Sequence, residues 1–389
     1  MHPPIGKWII ASGESIFGAT PFGWRISIAI LGILSVLLTA RIARRLTNSN
    51  FIGTVAGLLL ALDGLHIAMS RTALLDTSLS FFVLAAFGFL IIDRDIANSG
   101  GPKIWRWAMV IALGLACGTK WSGVYFAAAF GLLMLVWDYA RRRNARESVK
   151  VWVVKDFLPA LLMPVAIIGI YVASWFGWFT STGGWNRDWA ETNSTTPWLP
   201  DSLVSLIHYH ADMLSFHTNL STPHSYSANP WTWPLMIRPT SFYYETDPTC
   251  GADKCSQEVI PLGNPLIWWA GALAIAIVVY LAVTRRHTAA LPITVAFAAG
   301  WIPWLFFTER TVFTFYSVVF IPYTAMALAL VLYLANCRVN SDNQIEKRWP
   351  VFTFVFVTAI LTIFFYPILT GQSLTYDMWH LRMWLPSWI

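Results

Sequence analysis

The chain has 389 residues, of which 56% are hydrophobic and only 12% are charged, and its mean hydropathy is +0.56. Because roughly a quarter of the residues in an ordinary soluble domain are charged, this composition excludes a soluble enzyme, a disordered chain and a fibre. It indicates an all-α polytopic membrane protein. The net charge of +6 does not point to nucleic acid as a partner, because the basic residues separate by membrane side.

Apolar runs near the roughly 20 residues that a membrane-crossing helix needs predict a bundle of about ten transmembrane helices. The runs at 77–92, 105–119 and 122–137 are short, and tilting, longer flanks or a re-entrant path would each explain them. The second span contains Gly64, where its helix can break. The predicted spans are 24–46, 51–69, 77–92, 105–119, 122–137, 158–178, 264–284, 290–307, 312–335 and 350–369.

The basic residues predict the orientation of the spans. If the first residues lie outside, inner segments hold 17 Lys and Arg residues and outer segments hold 9, as the positive-inside rule requires. The resulting order is an outer juxtamembrane segment, six spans, an extracytoplasmic loop, four spans and an extracytoplasmic tail. These regions are 1–23, 24–178, 179–262, 263–370 and 371–389.

The loop at 179–262 is the one long polar stretch of the sequence, and its many aromatic residues argue against disorder. We expect an ordered cap of short helices and turns. Cys250 and Cys255 predict a local disulfide, because the exterior is oxidising. A zinc site is the alternative, although no second ligand pair stands at the usual spacing.

Ionisable residues near a membrane boundary are costly and mark candidate functional sites. Asp63 lies near the outer end of the second span, Arg71 and Asp76 lie in the next outer hairpin, and Lys120 and Arg310 lie in two further outer turns. The three cations predict a site for an anion at headgroup depth, such as a lipid-linked phosphate. Snorkelling anchors, or an ion pair of Arg71 with Asp76, are the alternatives.

Seven segments in this order resemble bacterial, actinobacterial-type protein O-mannosyltransferases that depend on polyprenyl-phosphate-mannose and have the GT-C architecture. They are His2-Pro3-Pro4-Ile5-Gly6-Lys7-Trp8 with Gly13-Glu14, Ser70-Arg71-Thr72-Ala73-Leu74-Leu75-Asp76, Gly118-Thr119-Lys120-Trp121-Ser122-Gly123, Phe216-His217 through His224-Ser225-Tyr226, Pro230 through Pro239, Thr314-Phe315-Tyr316 with Pro322-Tyr323, and Arg382-Met383-Trp384-Leu385-Pro386.

The resemblance implies eleven spans with an inner N-terminus, one more than the sequence here predicts. Residues 1–23 contain neither a signal peptide nor a span, so we expect that an upstream span and part of the first outer loop are missing. In such enzymes the proposed base belongs to an Asp-Glu pair upstream of the His-Pro-Pro segment. We therefore assign no catalytic base in this chain and expect it to have little activity alone.

We assign candidate roles in this mechanism to named residues. Lipid-phosphate binding falls to Arg71, Lys120 and Arg310. Supporting or orienting roles fall to Asp63, Asp76, His2 and Lys7, and Asp76 is expected to orient Arg71. Contacts to sugar or acceptor from the loop fall to His217, His224, Trp231 and Arg238.

The activity implied is transfer of mannose, with inversion, from polyprenyl-phosphate-mannose to Ser or Thr hydroxyls of translocated proteins, at the outer face of the plasma membrane. The Sec translocon is a further expected partner, and no cofactor or metal is expected. Three rival interpretations remain: another lipid-phosphate-dependent sugar transferase with a glycan or lipid acceptor, a transporter, and a non-catalytic remnant or partner. A transporter predicts internal repeats and midplane polar residues, which the sequence does not show.

Overall fold

The computed structural model describes residues 2–193, 197–246, 249–336 and 348–389. The helices in these ranges are α1 (Ile5–Phe17), α2 (Pro21–Thr47), α3 (Asn50–Ala61), α4 (Gly64–Met69), α5 (Leu75–Asn98), α6 (Trp105–Cys117), α7 (Gly123–Asn144), α8 (Val149–Trp152), α9 (Leu158–Ala160), α10 (Leu162–Ala173), α11 (Phe176–Thr180), α12 (Trp189–Asn193), α13 (Asp201–Thr218), α14 (Pro265–Thr284), α15 (Ala290–Trp301), α16 (Ile321–Asn336), α17 (Trp349–Thr370) and α18 (Tyr376–His380).

The described residues include six helical segments that are long and apolar enough to cross a membrane, and four shorter apolar helices. The prediction of a helical membrane bundle is confirmed. One of the six, Val149–Ala173, joins α8, α9 and α10 through a π-helical turn at Val153–Phe157. The shorter apolar helices are Asn50–Ala61, Trp105–Cys117, Ala290–Phe306 and Ile321–Asn336.

Several predicted spans have different limits in the structure. The short run at 77–92 becomes the 24-residue α5, because polar residues at both of its ends continue the helix. The run at 312–335 is wrong as a single helix, since a 3₁₀ segment at Thr314–Val319 precedes α16.

The second predicted span breaks between α3 and α4, and a buried carboxylate holds the break together. Asp63 caps α4 by accepting a hydrogen bond from the backbone N–H of His66, at 3.0 Å. The same carboxylate accepts from the Asn264 backbone N–H at 3.0 Å and from the indole N–H of Trp268 at 2.7 Å. Asp63 therefore joins the break to the start of α14.

Small residues allow the first helices to pack closely, as is common in membrane bundles. A Cβ at Gly53 of α3 would lie 2.6 Å from the backbone carbonyl oxygen of Ala40 in α2. Helix α2 also packs on α5, α5 on α6, and α7 on α15. The resulting core is rich in Leu, Ile, Ala and Phe, with Trp268 and Tyr323 fully buried in it.

The loop between α10 and α14 contains helices, turns and also β-structure, which the sequence did not predict. Strands β1 (Tyr243–Glu245), β2 (Cys255–Val259) and β3 (Ser373–Thr375) form an antiparallel sheet in the order β1-β2-β3. A disulfide joins Cys250 to Cys255 at the start of β2, as expected. The sheet attaches the loop to the segment that follows α17.

Candidate active site

A cavity of about 270 Å³ lies where the segment before α1, the α6–α7 turn, α13 and the 3₁₀ segment Thr314–Val319 meet. Its volume is close to the lower end of the range of small-molecule sites, about 300 Å³. Cations, imidazoles and aromatic rings face it together, among them His2, Lys120, Trp121, His217, Arg310 and Tyr316.

The N-terminal segment reaches this cavity through a backbone hydrogen bond. The N–H of Ile5 donates to the carbonyl oxygen of Gly118 at 2.9 Å, which fixes the start of α1 beside the end of α6. Gly6 lies so close to Leu75 and Thr119 that a Cβ there would be 2.6 Å and 3.2 Å from their side chains. His2 is thereby held near Lys120.

Lys120 is the most enclosed cation of the cavity. Helix α6 ends at Cys117, and the following turn directs the Lys120 side chain inward, with 9% of the residue exposed. Its ammonium nitrogen lies 2.9 Å from Oδ1 of Asp76 and 4.6 Å from the centre of the Tyr316 ring. The expectation that Asp76 orients Arg71 is replaced by this contact, because Asp76 pairs with Lys120.

Arg310 makes no ion pair with any carboxylate of the described residues. Its Nη2 donates to Nδ1 of His217 at 3.2 Å, and its guanidinium lies 5.6 Å from the centre of the Trp304 ring. Its Nε is buried without a hydrogen-bond acceptor among the described residues. This guanidinium has unused capacity to bind an anion.

Two histidines, His2 and His217, lie together at the cavity. Their rings lie 5.0 Å apart. Burial, together with the positive charge of Lys120, lowers the pKa of His2 far below its usual range, so this imidazole stays neutral. The Nδ1 of His217 lies 3.2 Å from the guanidinium of Arg310, which can only donate, so this ring nitrogen accepts.

The charges of the cavity do not cancel. Lys120 and Arg310 contribute two positive charges and Asp76 contributes one negative charge, which leaves one positive charge in excess. Carboxylates are absent from the described residues that line the cavity itself. The hydroxyl-bearing residues Ser122, Tyr125 and Tyr316 are also among its lining residues. The arrangement suits a singly charged phosphodiester with hydroxyl groups nearby.

The structure does not place all predicted cations in this cavity. The side chain of Arg71 is exposed and is not among the lining residues. It precedes Asp76 by five residues, so it shares the outer hairpin that supplies the partner of Lys120. Lys7 is exposed on α1, and partial burial lowers the pKa of its amine. Asp63 supports the helix break described above and does not line the cavity.

Three predicted loop residues also lie outside the lining of the cavity. Arg238 donates to the carbonyl oxygens of Ser225 at 2.9 Å and Ile389 at 2.6 Å, so it binds the tail to the loop instead of facing a sugar. His224 accepts a hydrogen bond from the N–H of Tyr226 at 3.1 Å. Trp231 is exposed and has its ring edge against Trp301. Only His217 of the four predicted loop residues lines the cavity.

Sequence reasoning missed the aromatic and hydroxyl groups of the cavity. Trp121 and Tyr316 stood in the segments that carried the family resemblance, yet they received no role. Their position next to, or across from, Lys120 was the available signal.

Solved structures with the same arrangement of helices identify the class of fold. The Saccharomyces cerevisiae protein O-mannosyltransferase Pmt1-Pmt2 complex, bound to its sugar donor, superposes with a TM-score of 0.79 at 15% identity. That match covers 100% of this chain and 86% of the yeast chain. ArnT from Cupriavidus metallidurans bound to undecaprenyl phosphate gives 0.52 at 18% identity, over 92% and 53% of the two chains. The fold is therefore that of the GT-C membrane glycosyltransferases.

Sequence relatives define the family within that class. Polyprenol-phosphate-mannose–protein mannosyltransferases of Mycobacterium tuberculosis and Corynebacterium glutamicum are 36% and 32% identical, over 100% of this chain and 81% of each relative. Residues 2–179 match the dolichyl-phosphate-mannose-protein mannosyltransferase model, and residues 202–388 match the C-terminal four-helix region of protein O-mannosyltransferases. The chain belongs to this protein mannosyltransferase family and is a multi-pass membrane protein.

Proposed function

We propose that this protein transfers mannose from polyprenyl-phosphate-mannose to Ser or Thr hydroxyls of proteins. The observation that carries the proposal is the excess positive charge of a cavity whose Arg310 has no carboxylate partner among the described residues. The sugar, its lipid carrier and the class of acceptor are inferred from the names of the relatives.

The cavity supports a direct displacement. The acceptor oxygen forms a bond to the anomeric carbon, and the bond from that carbon to the phosphate oxygen breaks with inversion. The acceptor proton passes to a general base, to which we assign no residue. The departing polyprenyl phosphate gains a second negative charge.

Lys120 and Arg310 are the groups that we propose to stabilise this charge. Fixed cations in an enclosed site stabilise developing charge without reorganisation at the moment of reaction. Arg71 is proposed to approach the same phosphate from the exposed hairpin. With cations in this role, we propose a reaction that needs no metal ion.

The remaining parts of the proposal concern location and partners. We propose that the cavity faces the outer side of the plasma membrane, because it lies under α13 of the long loop and the basic residues favour the opposite side as cytoplasmic. Acceptor proteins would then arrive as they emerge from the Sec translocon.

The test uses the full-length protein in liposomes with polyprenyl phosphate that carries labelled mannose. Two peptides are compared, one with a Ser/Thr-rich sequence and one with Ala at each of those positions, in the presence and absence of EDTA. We expect label only on the first peptide, in both conditions. Transfer to a glycan or lipid acceptor without transfer to the peptide would refute the proposed acceptor, and loss of transfer with EDTA would refute the metal-independent step.

A further inference from the structure

A chain of hydrogen bonds runs away from the cavity through Trp121, the residue after Lys120. The indole N–H of Trp121 donates to the hydroxyl oxygen of Tyr171 in α10, at 3.0 Å. That hydroxyl lies 2.7 Å from Nε2 of His210 in α13, and Nδ1 of His210 lies 2.7 Å from the carbonyl oxygen of Leu206. Three separate elements are thus connected behind one wall of the cavity.

The direction of every bond in this chain follows from chemistry. A carbonyl oxygen only accepts, so Nδ1 of His210 carries a proton. Burial lowers the pKa of His210, which keeps the ring neutral and leaves Nε2 as an acceptor. Tyr171 therefore donates to His210 and accepts from Trp121.

Ring packing fixes the same indole from behind. The Trp121 ring is nearly parallel to that of His210, with an angle of 24° and centroids 6.0 Å apart. The ring centroid of the buried Trp175 lies 4.9 Å from that of His210. It also lies 4.9 Å from the ring centroid of Tyr209, in an edge-to-face arrangement. Trp121 is thus oriented by one hydrogen bond and a stacked ring, while it remains part of the cavity lining.

We propose that Trp121 is the surface on which the hexose of the donor packs, and that Tyr171 and His210 are its positioning residues. This rests on the proposed function. A hexose has a face of C–H groups, which an aromatic ring covers well, while its hydroxyls stay available to polar groups. Lys120 and Trp121 are consecutive, and in the donor the sugar follows directly on the phosphate. Both residues line the cavity, so a phosphate bound at Lys120 leaves the sugar within the space that Trp121 borders.

The test compares the affinities of the full-length protein in liposomes for two probes, polyprenyl phosphate and polyprenyl-phosphate-mannose. We expect Trp121→Leu to weaken binding of the mannosylated lipid about tenfold, as for loss of one aromatic contact. Binding of polyprenyl phosphate is expected to stay within about twofold, which also shows that the variant is folded. Trp121→Tyr should retain most of the affinity for the mannosylated lipid.

Tyr171→Phe tests the positioning role and serves as a second variant if Trp121→Leu does not fold. It keeps the ring but removes the hydroxyl. We expect binding of polyprenyl-phosphate-mannose to weaken about threefold without a matching loss for polyprenyl phosphate, and the donor KM to rise with a smaller change in kcat. Trp185→Leu is the matched control, because Trp185 contacts Tyr209 of the same aromatic group but does not line the cavity.

The outcomes separate this inference from the proposed function. If the unsubstituted protein binds neither lipid, the proposed function fails. If it binds both, and the Trp121 and Tyr171 variants change the two affinities equally or not at all, the sugar-packing role of Trp121 is overturned.

Discussion

Buried charged residues lie at both ends of the helices α5, α6 and α7, but the charges are balanced at only one of the two ends. About 20 Å of helix α6, which has 13 residues, separates the two ends. At one end is the cavity with Lys120 and Arg310. At the other is a charged cluster in which four cations face four carboxylates. Its members are Lys103, Arg106, Arg141, Arg142, Asp93, Asp138, Glu147 and Asp156.

In the charged cluster each cation has a carboxylate partner. The Nη2 of Arg106 lies 2.8 Å from Asp93 and 3.2 Å from Asp138, and Arg142 lies 2.8 Å from Asp156. In the cavity, Asp76 offsets Lys120, while Arg310 has no carboxylate partner among the residues that the structure describes. A cluster whose positive and negative charges cancel holds the helices together, whereas a cavity with excess positive charge can bind an anionic ligand. Substitutions at the two ends should therefore have different consequences.

The largest effect is expected for Arg106→Met in the charged cluster. The change leaves Asp93 buried without its cation and removes one of the cations that face Asp138, which costs about 3–5 kcal/mol of unfolding free energy. Denaturation of the purified protein in detergent measures this loss. Arg143→Gln is the control, because Arg143 is exposed. Mannosyl transfer per folded molecule should not change, and a specific loss of transfer would contradict the contrast between the two ends.

Lys120→Met should lower transfer about 10²–10³-fold, the usual effect of removing one group that stabilises transition-state charge. It also leaves Asp76 buried and unpaired, so stability falls as well. Adding Asp76→Asn removes the unpaired charge and should restore the melting temperature but not the transfer rate. Recovery of transfer in the double variant would show that Lys120 acts only as a partner of Asp76.

Arg310→Gln should reduce transfer about 10–100-fold, the value of one hydrogen bond to a charged group. Because no carboxylate is left unpaired, the melting temperature should change little, in contrast to Arg106→Met. Arg310→Lys keeps the charge and should recover part of the rate. Equal destabilisation by the Arg106 and Arg310 variants would argue against a ligand site.

Arg71→Ala should have a smaller effect, about tenfold or less, because an exposed charge is screened by water and salt. The difference in transfer rate between this variant and the unsubstituted protein should become smaller as ionic strength rises. Transfer assays over a salt series would measure it. A loss as large as that of Lys120→Met, independent of salt, would place Arg71 in direct contact with an enclosed phosphate.

The smallest effect concerns pH and His210. Its pKa is lower in the folded protein than in the unfolded chain, so the unfolded state takes up more protons as the pH falls through about 6.5. Stability contributed by neutral His210 is present above that pH and is lost below it. His210→Gln keeps an acceptor for Tyr171 but does not titrate, so its melting temperature should fall less between pH 7 and pH 5. An unchanged pH profile would contradict the assigned proton positions.

Local sequence patterns were sufficient to predict the class of fold. A single long apolar run in lipid can pair all its backbone N–H and C=O groups only as a helix. Those patterns also gave the motif around Lys120 and the disulfide of Cys250 and Cys255. The limits of the spans were less accurate at 312–335, because apolar composition does not distinguish a 3₁₀ segment from an α-helix.

Tertiary structure alone decided which charged residues share a site. Lys120 and Arg310 line one cavity because the turn after α6 and the turn before the 3₁₀ segment Thr314–Val319 both lie beside α13, whereas Arg238 donates to carbonyl groups of the loop and the tail. The pairing of Asp76 with Lys120 instead of Arg71 likewise depends on a contact across 44 residues. Charge and hydropathy patterns report how costly a residue is in a membrane, but its partner depends on three-dimensional packing.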